Sequence, residues 1–183
     1  LRAWSQLESG ETASAAQSAA ELLKLPLNLR NQARCLAVIG RAKARTGHTS
    51  EGLSSLKRAV TLVSRKDIHL EAELRAQYAS AALNWVGVEP ALAALPALRR
   101  SALESANRAA LAEYHIIYSR IAALHGWRRK TVLELGSAQA LLSSFSHLAT
   151  QWRLEQSQAT SSIMFGDLAA AIARGEDSIR LAS

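Results

Sequence analysis

The sequence has little of what most other fold classes require. Its 183 residues include one cysteine, three prolines and nine glycines, and only 5% are aromatic. Its single cysteine, Cys35, cannot form an internal disulfide, so nothing points to an oxidising compartment. Strands favour aromatic and β-branched residues, whereas alanine and leucine, which are abundant here, favour helices. The composition therefore predicts an all-α fold.

Segments that would cross or target a membrane are also lacking. The most apolar stretch, residues 81–98, contains Asn84, Glu89, Pro90 and Pro96, which a span of about 20 apolar residues would not contain. The first residues do not resemble a signal peptide. Because the sequence does not begin with methionine, we expect a segment of a longer protein. We also expect a cytoplasmic location and no membrane partner.

The charge is unbalanced, with a formal net charge of +7 at pH 7. A basic protein can bind nucleic acid, an anionic membrane or an acidic protein, and an arginine-rich surface can also serve solubility alone. The content of 49% hydrophobic and 20% charged residues is that of a folded protein. Charge alone therefore does not choose a partner.

Five glycines recur at nearly even intervals along the chain: Gly10, Gly47, Gly87, Gly126 and Gly166. Each lies between two helical patterns, where glycine suits the left-handed conformation that ends a helix. The spacing predicts about ten helices in five hairpins, stacked as an α-solenoid in a single domain over residues 1–183. A non-repeating helical bundle is the alternative. Pro96 should kink or split its helix, and the last turn could lie at Gly166 or at Gly175.

Residues 36–59 resemble a tetratricopeptide repeat (TPR) at the positions Leu36, Ile39-Gly40, Lys43, Gly47, Gly52, Leu56 and Ala59. Lys43 departs from the pattern by replacing an aromatic residue. A weaker match has Tyr118-Ser119, Leu135 and Ala138 in corresponding places. The long glycine spacing is similar to the long, irregular repeats of bacterial regulatory proteins, such as the sensor arms of transcription activators of the maltose-regulator type. The resemblance implies a right-handed α-solenoid in which small residues at positions 40, 52 and 59 let paired helices approach closely.

No pattern of catalytic or metal-binding residues is present in the sequence. The five histidines lack metal-ligand spacing with each other or with carboxylates: His48, His69, His115, His125 and His147. Cys35 lies among apolar residues, which favours a buried structural role. Phosphate-binding glycine loops and nucleophile elbows are absent. We therefore predict no enzymatic activity, no cofactor and no metal.

The TPR resemblance implies that the first helix of each hairpin lines a concave binding face. The side chains it would place there are Arg34, Ala37, Arg41, Arg45, Gln77, Asn84, Glu113, Arg120, Arg153 and Gln156. Independently of the family, Arg34, Arg41 and Arg45 share one helical face by their i, i+7, i+11 spacing. Arg30 extends the row, and no acidic residue lies between it and Gly47. Such a face suits a carboxylate-bearing peptide, or it is simply solvated.

Two classes of function remain after these exclusions. The first is a non-catalytic scaffold that binds a protein or peptide, within a larger regulatory or signalling protein. The alternative is the ligand-sensing domain of a bacterial transcriptional regulator, which would bind a small molecule or signalling peptide. Nucleic-acid binding ranks third, because the arginine-rich helix has no aromatic residues for base stacking. Exposed ends of a repeat array could also cause self-association.

Overall fold

The computed structural model describes residues 10–145 and 147–182, and every regular element in these ranges is an α-helix. The nine described helices are α1 (Thr12–Leu23), α2 (Leu29–Arg45), α3 (Thr49–Val63), α4 (Ile68–Trp85), α5 (Val88–Glu104), α6 (Arg108–Leu124), α7 (Arg128–Leu142), α8 (Leu148–Met164) and α9 (Leu168–Ala182). The all-α prediction is confirmed for these residues, with nine helices where about ten were expected over the whole chain.

The chain divides into two compact units, Leu1–Ala97 and Leu98–Ser183, which we call unit 1 and unit 2. The expectation of a single domain over residues 1–183 stays a prediction, and residues 1–9, 146 and 183 of that range lie outside the described part. Each unit is built from helical hairpins. In unit 1, α2 pairs with α3, and in unit 2, α6 pairs with α7 and α8 with α9.

The helix boundaries repeat along the chain. The helices α2, α4, α6 and α8 begin at residues 29, 68, 108 and 148, and their followers α3, α5, α7 and α9 begin at 49, 88, 128 and 168. The intervals between successive helix starts are the same in both series, and within a series they differ by no more than one residue. We call the members of the former series first helices. The period predicted from the glycines is confirmed.

The five spaced glycines all adopt positive φ, the region that side chains with a Cβ rarely enter: Gly10 (+88°), Gly47 (+91°), Gly87 (+142°), Gly126 (+73°) and Gly166 (+80°). Gly47, Gly126 and Gly166 follow the end of a first helix by two residues, and the next helix begins two residues later. Gly175 lies within α9, so the last turn is at Gly166.

A capping side chain begins three of the first helices. The side chains of Asn28, Asp67 and Asn107 each accept a hydrogen bond from the backbone N–H three residues later, at 2.9, 3.1 and 3.0 Å. Such caps satisfy a backbone donor that the first helical turn leaves unpaired. Each capping residue immediately precedes its helix. The caps therefore recur along the chain at nearly the same intervals as the turn glycines.

Helix α2 is buried on two faces in unit 1. On one face Ala33 and Ala37 share a core with Leu56 of α3 and Leu74 of α4. On the other, Cys35, Val38 and Ala42 pack against Ala15 and Ala19 of α1. This alanine-rich packing leaves a single strip of α2 facing outward.

The backbones of α2 and α3 touch at two glycines. A Cβ placed on Gly40 would lie 2.8 Å from the carbonyl oxygen of Gly52, and one on Gly52 would lie 2.6 Å from the carbonyl oxygen of Gly40. The prediction that small residues allow this approach is confirmed at Gly40 and Gly52, and Ala59 is fully buried in the core that α3 shares with α2. In the α6–α7 hairpin the corresponding residues are Ser119 and Thr131, both fully buried.

Pro96 lies in the middle of α5, which continues without a break from Val88 to Glu104. The sequence predicted a kink or a split at this proline, and the split does not occur. Proline removes one backbone N–H, which leaves the carbonyl of Leu92 without its helical partner. The helix nevertheless continues, and it buries Leu95 and Leu98 on either side of the proline.

The glycine contact predicts opposite effects for two similar substitutions. Gly52→Ala should lower the free energy of unfolding by about 1–3 kcal/mol, because the new methyl group meets backbone atoms that cannot move aside. Gly136→Ala, in α7, should raise it by about 1 kcal/mol, because nothing lies within 4 Å of the added Cβ and alanine favours the helix. Denaturant unfolding followed by circular dichroism measures both. Equal changes in the two variants would contradict the close approach.

Candidate functional site

Three arginines, Arg34, Arg41 and Arg45, lie along the outward strip of α2, and we call them the arginine stripe. Arg34 and Arg45 are exposed and Arg41 is half-buried. Ala37 and Val38, on the two sides of the stripe, are buried in the two cores of unit 1. The expectation that Ala37 faces a binding groove is therefore wrong, since that residue is fully buried.

The cations beside the stripe are paired with acids outside α2. Arg30 Nη2 lies 2.7 Å from Asp67 Oδ2, and Lys43 Nζ lies 2.7 Å from Glu51 Oε2. The backbone N–H of Leu70, and then Arg30, lower the pKa of Asp67. The hydrogen bond from Lys43 lowers the pKa of Glu51. Because α2 itself contains no acid, the stripe gives unit 1 a cationic surface.

The amides expected beside the stripe lie on α4, which contacts α2. Asn84 is exposed, and it holds the same place in α4 as Arg45 holds in α2, counted from the helix start. Gln77 is half-buried, and no hydrogen-bond donor in the described chain reaches its buried Oε1. Unit 1 thus brings the stripe, Gln77 and Asn84 onto two neighbouring helices.

The remaining predicted binding residues lie in unit 2, where Arg153 already forms an ion pair within the chain. Its Nε and Nη2 atoms donate to Glu113 Oε1, at 2.7 and 2.6 Å, which joins α8 to α6. Glu113 is buried, so Arg153 compensates its charge. Burial lowers the pKa of the half-buried Arg120 against the opposing effect of Glu113. Gln156 is exposed on α8.

Unit 2 also contains a charged network that sequence reasoning missed. Glu134 of α7 accepts hydrogen bonds from His115 Nδ1 at 2.6 Å and from Lys130 Nζ at 2.8 Å. Lys130 lies 4.9 Å above the ring of Tyr118, and the ring of Tyr114 meets the His115 ring edge to face. The i, i+4 spacing of Lys130 and Glu134 could have indicated their ion pair from the sequence, but nothing in the spacing indicated the contact with His115.

An open groove runs along α7 in unit 2. It consists of two hollows of about 590 and 560 Å³ that share Gln139 and Glu155 as lining residues. Helix α7 forms one wall, α8 contributes Glu155 and Gln158, and α9 contributes Arg174. Gln158 Oε1 is buried, and no donor in the described residues reaches it. Nothing in the sequence pattern indicated this groove.

The described residues give no support for metal or thiol chemistry. Residues 10–145 and 147–182 contain no group of three or more His, Cys, Asp or Glu side chains placed to hold a metal ion. Four of the histidines are exposed and His115 is half-buried. Cys35 is buried, and this burial raises the pKa of its thiol, which disfavours the nucleophilic thiolate. In the same residues no helix is long and apolar enough to cross a bilayer.

The ion pair in unit 2 predicts that equivalent arginines differ in their effect on stability. Arg34 and Arg153 are each the sixth residue of a first helix. Arg153→Ala should lower the free energy of unfolding by about 2–3 kcal/mol, because Glu113 would remain buried without its partner. Arg34→Ala, at an exposed position, should change it by less than about 0.5 kcal/mol. Equal losses in denaturant unfolding would contradict the structural role of Arg153.

The Glu134 network predicts a dependence of stability on pH. Burial opposes ionisation of Glu134, but the hydrogen bonds from Lys130 and His115 outweigh it and lower the pKa of the carboxyl. A lowered pKa stabilises the fold at pH values above the unfolded pKa of about 4.3, and this contribution disappears as the pH falls through the folded pKa.

Glu134→Gln should therefore lower the free energy of unfolding by about 1–3 kcal/mol at neutral pH. The difference from the unmodified chain should shrink between about pH 5 and about pH 3. The exposed Glu104 supplies the control, since Glu104→Gln should leave stability unchanged at each pH. A constant difference for Glu134→Gln across this range would refute the assignment.

Comparison with known proteins gives a fold and no family. No protein-family model matches the sequence, and no curated protein does. A solved structure, that of BtubC (BKLC) from P. vanneervenii, is similar over 98% of this chain and 76% of that chain, with a TM-score of 0.66. Only 12% of the aligned residues are identical. This likeness shows that the chain shares the helical fold of BtubC.

Proposed function

We propose that this chain is a non-catalytic helical-repeat scaffold that binds an acidic segment of a protein through the arginine stripe of α2. We further propose that its hairpins form a right-handed, TPR-like α-solenoid within a larger regulatory protein. The observation that carries the binding proposal is the stripe itself, a cationic strip confined between two buried faces of one helix.

The chemistry of arginine supports an acidic partner. A guanidinium group can hold a carboxylate through two parallel hydrogen bonds, and each such charge-assisted bond is stronger than a neutral one. The nearby acids Asp67 and Glu51 already pair with Arg30 and Lys43. These two acids are therefore engaged by cations outside the stripe. Asn84, exposed on the neighbouring helix α4, can add hydrogen bonds to a peptide backbone.

The repeat supports the scaffold part of the proposal. The first helices recur at nearly constant intervals, and the glycine turns and the Gly40–Gly52 contact match the positions at which the sequence resembles a TPR. Stacked hairpins of this kind present extended surfaces that suit peptides and proteins. A cytoplasmic, bacterial setting remains part of the proposal.

The proposal predicts which variant loses its partner. The chain should capture an acidic protein from bacterial lysate, and the triple variant Arg34→Ala, Arg41→Ala, Arg45→Ala should bind the purified partner at least tenfold more weakly. One charge-assisted hydrogen bond contributes about 1.5–3 kcal/mol, and about 1.4 kcal/mol corresponds to tenfold. Capture followed by mass spectrometry identifies the protein, and isothermal titration measures the affinity.

A matched control separates the stripe from net charge. The variant Lys57→Ala, Arg58→Ala, Lys66→Ala removes three exposed cations from elsewhere in unit 1 and should bind as the unmodified chain does. If both triple variants lose the partner equally, only net charge matters. If both retain it, the stripe is not the binding site.

The groove in unit 2 favours a second candidate function, the ligand-sensing domain of a bacterial transcriptional regulator. Its two hollows of about 590 and 560 Å³ each lie within the range of about 300–1,000 Å³ that ligand sites occupy. A thermal-shift screen against small metabolites tests this alternative. A compound that raises Tm for the unmodified chain, in the absence of any protein partner, would favour it over the scaffold.

A further inference from the structure

We propose that the groove along α7 in unit 2 binds single-stranded nucleic acid, whose bases stack on aromatic rings and whose phosphates meet arginines at both ends of the groove. This site shares no residue with the arginine stripe, so it goes beyond the scaffold function proposed above. The arginine-rich helix α2 has no aromatic residues, but unit 2 places aromatic rings beside exposed arginines.

Each end of the groove pairs an arginine with a phenylalanine. At one end the guanidinium of Arg128 lies 5.8 Å from the ring centroid of Phe165, and both residues line the larger hollow. At the other end the guanidinium of Arg108 lies 5.2 Å from the ring centroid of Phe145, which lines the smaller hollow. Arg108 also donates a hydrogen bond to Ser144 Oγ, which holds it at this end. Bases stack on aromatic rings and on guanidinium planes, so both pairs are stacking surfaces.

A larger stacking surface adjoins the Arg128 end of the groove. The ring of Trp127 stacks on the ring of His125, with the ring centroids 4.6 Å apart and the planes 18° from parallel. Although His125 covers one face of the indole, 51% of Trp127 is exposed. Every base has a π-face, so the uncovered indole can stack on a base of any sequence.

The repeat itself does not require aromatic rings at this turn. At the Gly47 turn of unit 1, Thr46 and His48 occupy the positions that His125 and Trp127 occupy in unit 2. Both residues of the stacked pair are exposed, so the pair does not serve the core. The stacked pair is therefore a surface feature that unit 2 adds to the repeat.

Three exposed arginines give both ends of the groove a positive charge: Arg108 at one end, and Arg128 and Arg129 at the other. The part of α7 that lines the two hollows is otherwise uncharged. A polyanion can therefore gain electrostatic attraction at both ends, and salt should weaken its binding.

Two acids also line the groove, and each has a partner within unit 2. Glu155 pairs with Arg174 at 3.3 Å. Asp167 caps α9 by accepting a hydrogen bond from the N–H of Ala170 at 3.0 Å. Arg174 compensates the charge of Glu155, and the two arginines at the Asp167 end outnumber that carboxylate. The groove therefore keeps an excess of positive charge.

The middle of the groove offers hydrogen bonds and room for a short strand. Gln139 and Ser143 are exposed and line the smaller hollow, and amide and hydroxyl side chains can bond sugars and base edges. Helix α7 has 15 residues, so this wall is roughly 22 Å long at 1.5 Å per residue. Stacked nucleotides advance by about 3.4 Å each, so the groove accommodates about six of them.

The binding test uses fluorescently labelled dodecamers of deoxythymidine and of uridine with the full 183-residue chain. Fluorescence anisotropy measures the affinity at several salt concentrations. Binding of either strand supports the proposal, and the tighter one identifies DNA or RNA as the ligand. Absence of binding to both strands at low salt would overturn it.

Two helical glycines locate the strand. Gly136 lines the larger hollow, and nothing lies within 4 Å of a Cβ built there. Gly136→Leu should therefore fill the groove while the helix remains intact, and should weaken binding at least tenfold. Gly175 in α9 is equally open but lies outside the lining of both hollows, so Gly175→Leu is the matched control. Equal affinities of the two variants would overturn the groove as the site.

The arginines and the tryptophan should differ in their effect on the salt dependence. The double variant Arg108→Ala, Arg128→Ala removes two phosphate contacts, so the slope of log K against log salt concentration should flatten by about 1.4, at about 0.7 per contact. Trp127→Ala should weaken binding at least fivefold at an unchanged slope, because it removes stacking but no charge. The control Lys57→Ala, Arg58→Ala removes two exposed cations from unit 1. An unchanged slope in the arginine variant, or an equal change in the control, would contradict the assignment.

Two further outcomes separate this site from the arginine stripe and from a protein partner. The triple variant of the stripe should bind both strands as the unmodified chain does. If the strands bind Gly136→Leu normally but lose affinity in the stripe variant, the groove proposal fails, while capture of an acidic protein still tests the scaffold function. A glutamate dodecamer that binds as tightly as the nucleic acids would show that the groove recognises only negative charge, and would overturn stacking as its basis.

Discussion

The backbone contact between Gly40 and Gly52 sets the separation of α2 and α3, and the rest of unit 1 depends on that separation. At this distance small side chains fill the space, and Ala33, Ala37 and Ala59 are fully buried. Alanine buries little apolar area, so close packing of backbone atoms has to supply dispersion energy that larger side chains would supply elsewhere. The arginines lie on the outward strip of α2, whereas Leu36 and Ile39 pack against the two cores.

Burial decides whether a charge at a given repeat position is structural or free to bind. The sixth residue of each first helix is charged: Arg34, Glu73, Glu113 and Arg153. In unit 1 the two members are exposed and each stays hydrated. In unit 2 Glu113 is buried and pairs with Arg153, because an uncompensated buried carboxylate would strongly destabilise the fold. One repeat position therefore carries exposed charges in one unit and a structural ion pair in the other.

Features that depend on local backbone chemistry were predictable from the sequence, and features that depend on packing between distant residues were not. The glycine turns follow from the absence of a Cβ, whereas the Gly40–Gly52 contact was expected only from the resemblance to a TPR. The caps Asn28, Asp67 and Asn107 were readable by the same logic and were missed. Burial of Ala37, the Glu113–Arg153 pair and the groove depend on how helices pack, which residue spacing within one helix does not encode. The possible split at Pro96 did not occur, because one lost backbone hydrogen bond does not end a helix that buries Leu95 and Leu98.

The buried polar groups that lack a partner within the described chain are neutral, whereas the buried groups with a partner include charged carboxylates. The buried carboxylates Glu71, Glu113 and Glu134 each have a cationic partner within 2.8 Å. In the described chain, the buried side-chain atoms without a partner are both glutamine oxygens, Gln77 Oε1 and Gln158 Oε1. An unpaired buried amide costs about 1–3 kcal/mol, whereas an unpaired buried charge costs considerably more. A marginally stable protein can therefore keep an unpaired amide for a ligand, but a charge kept for that purpose must remain exposed. The arginine stripe fits this division, since Arg34 and Arg45 keep their charges exposed.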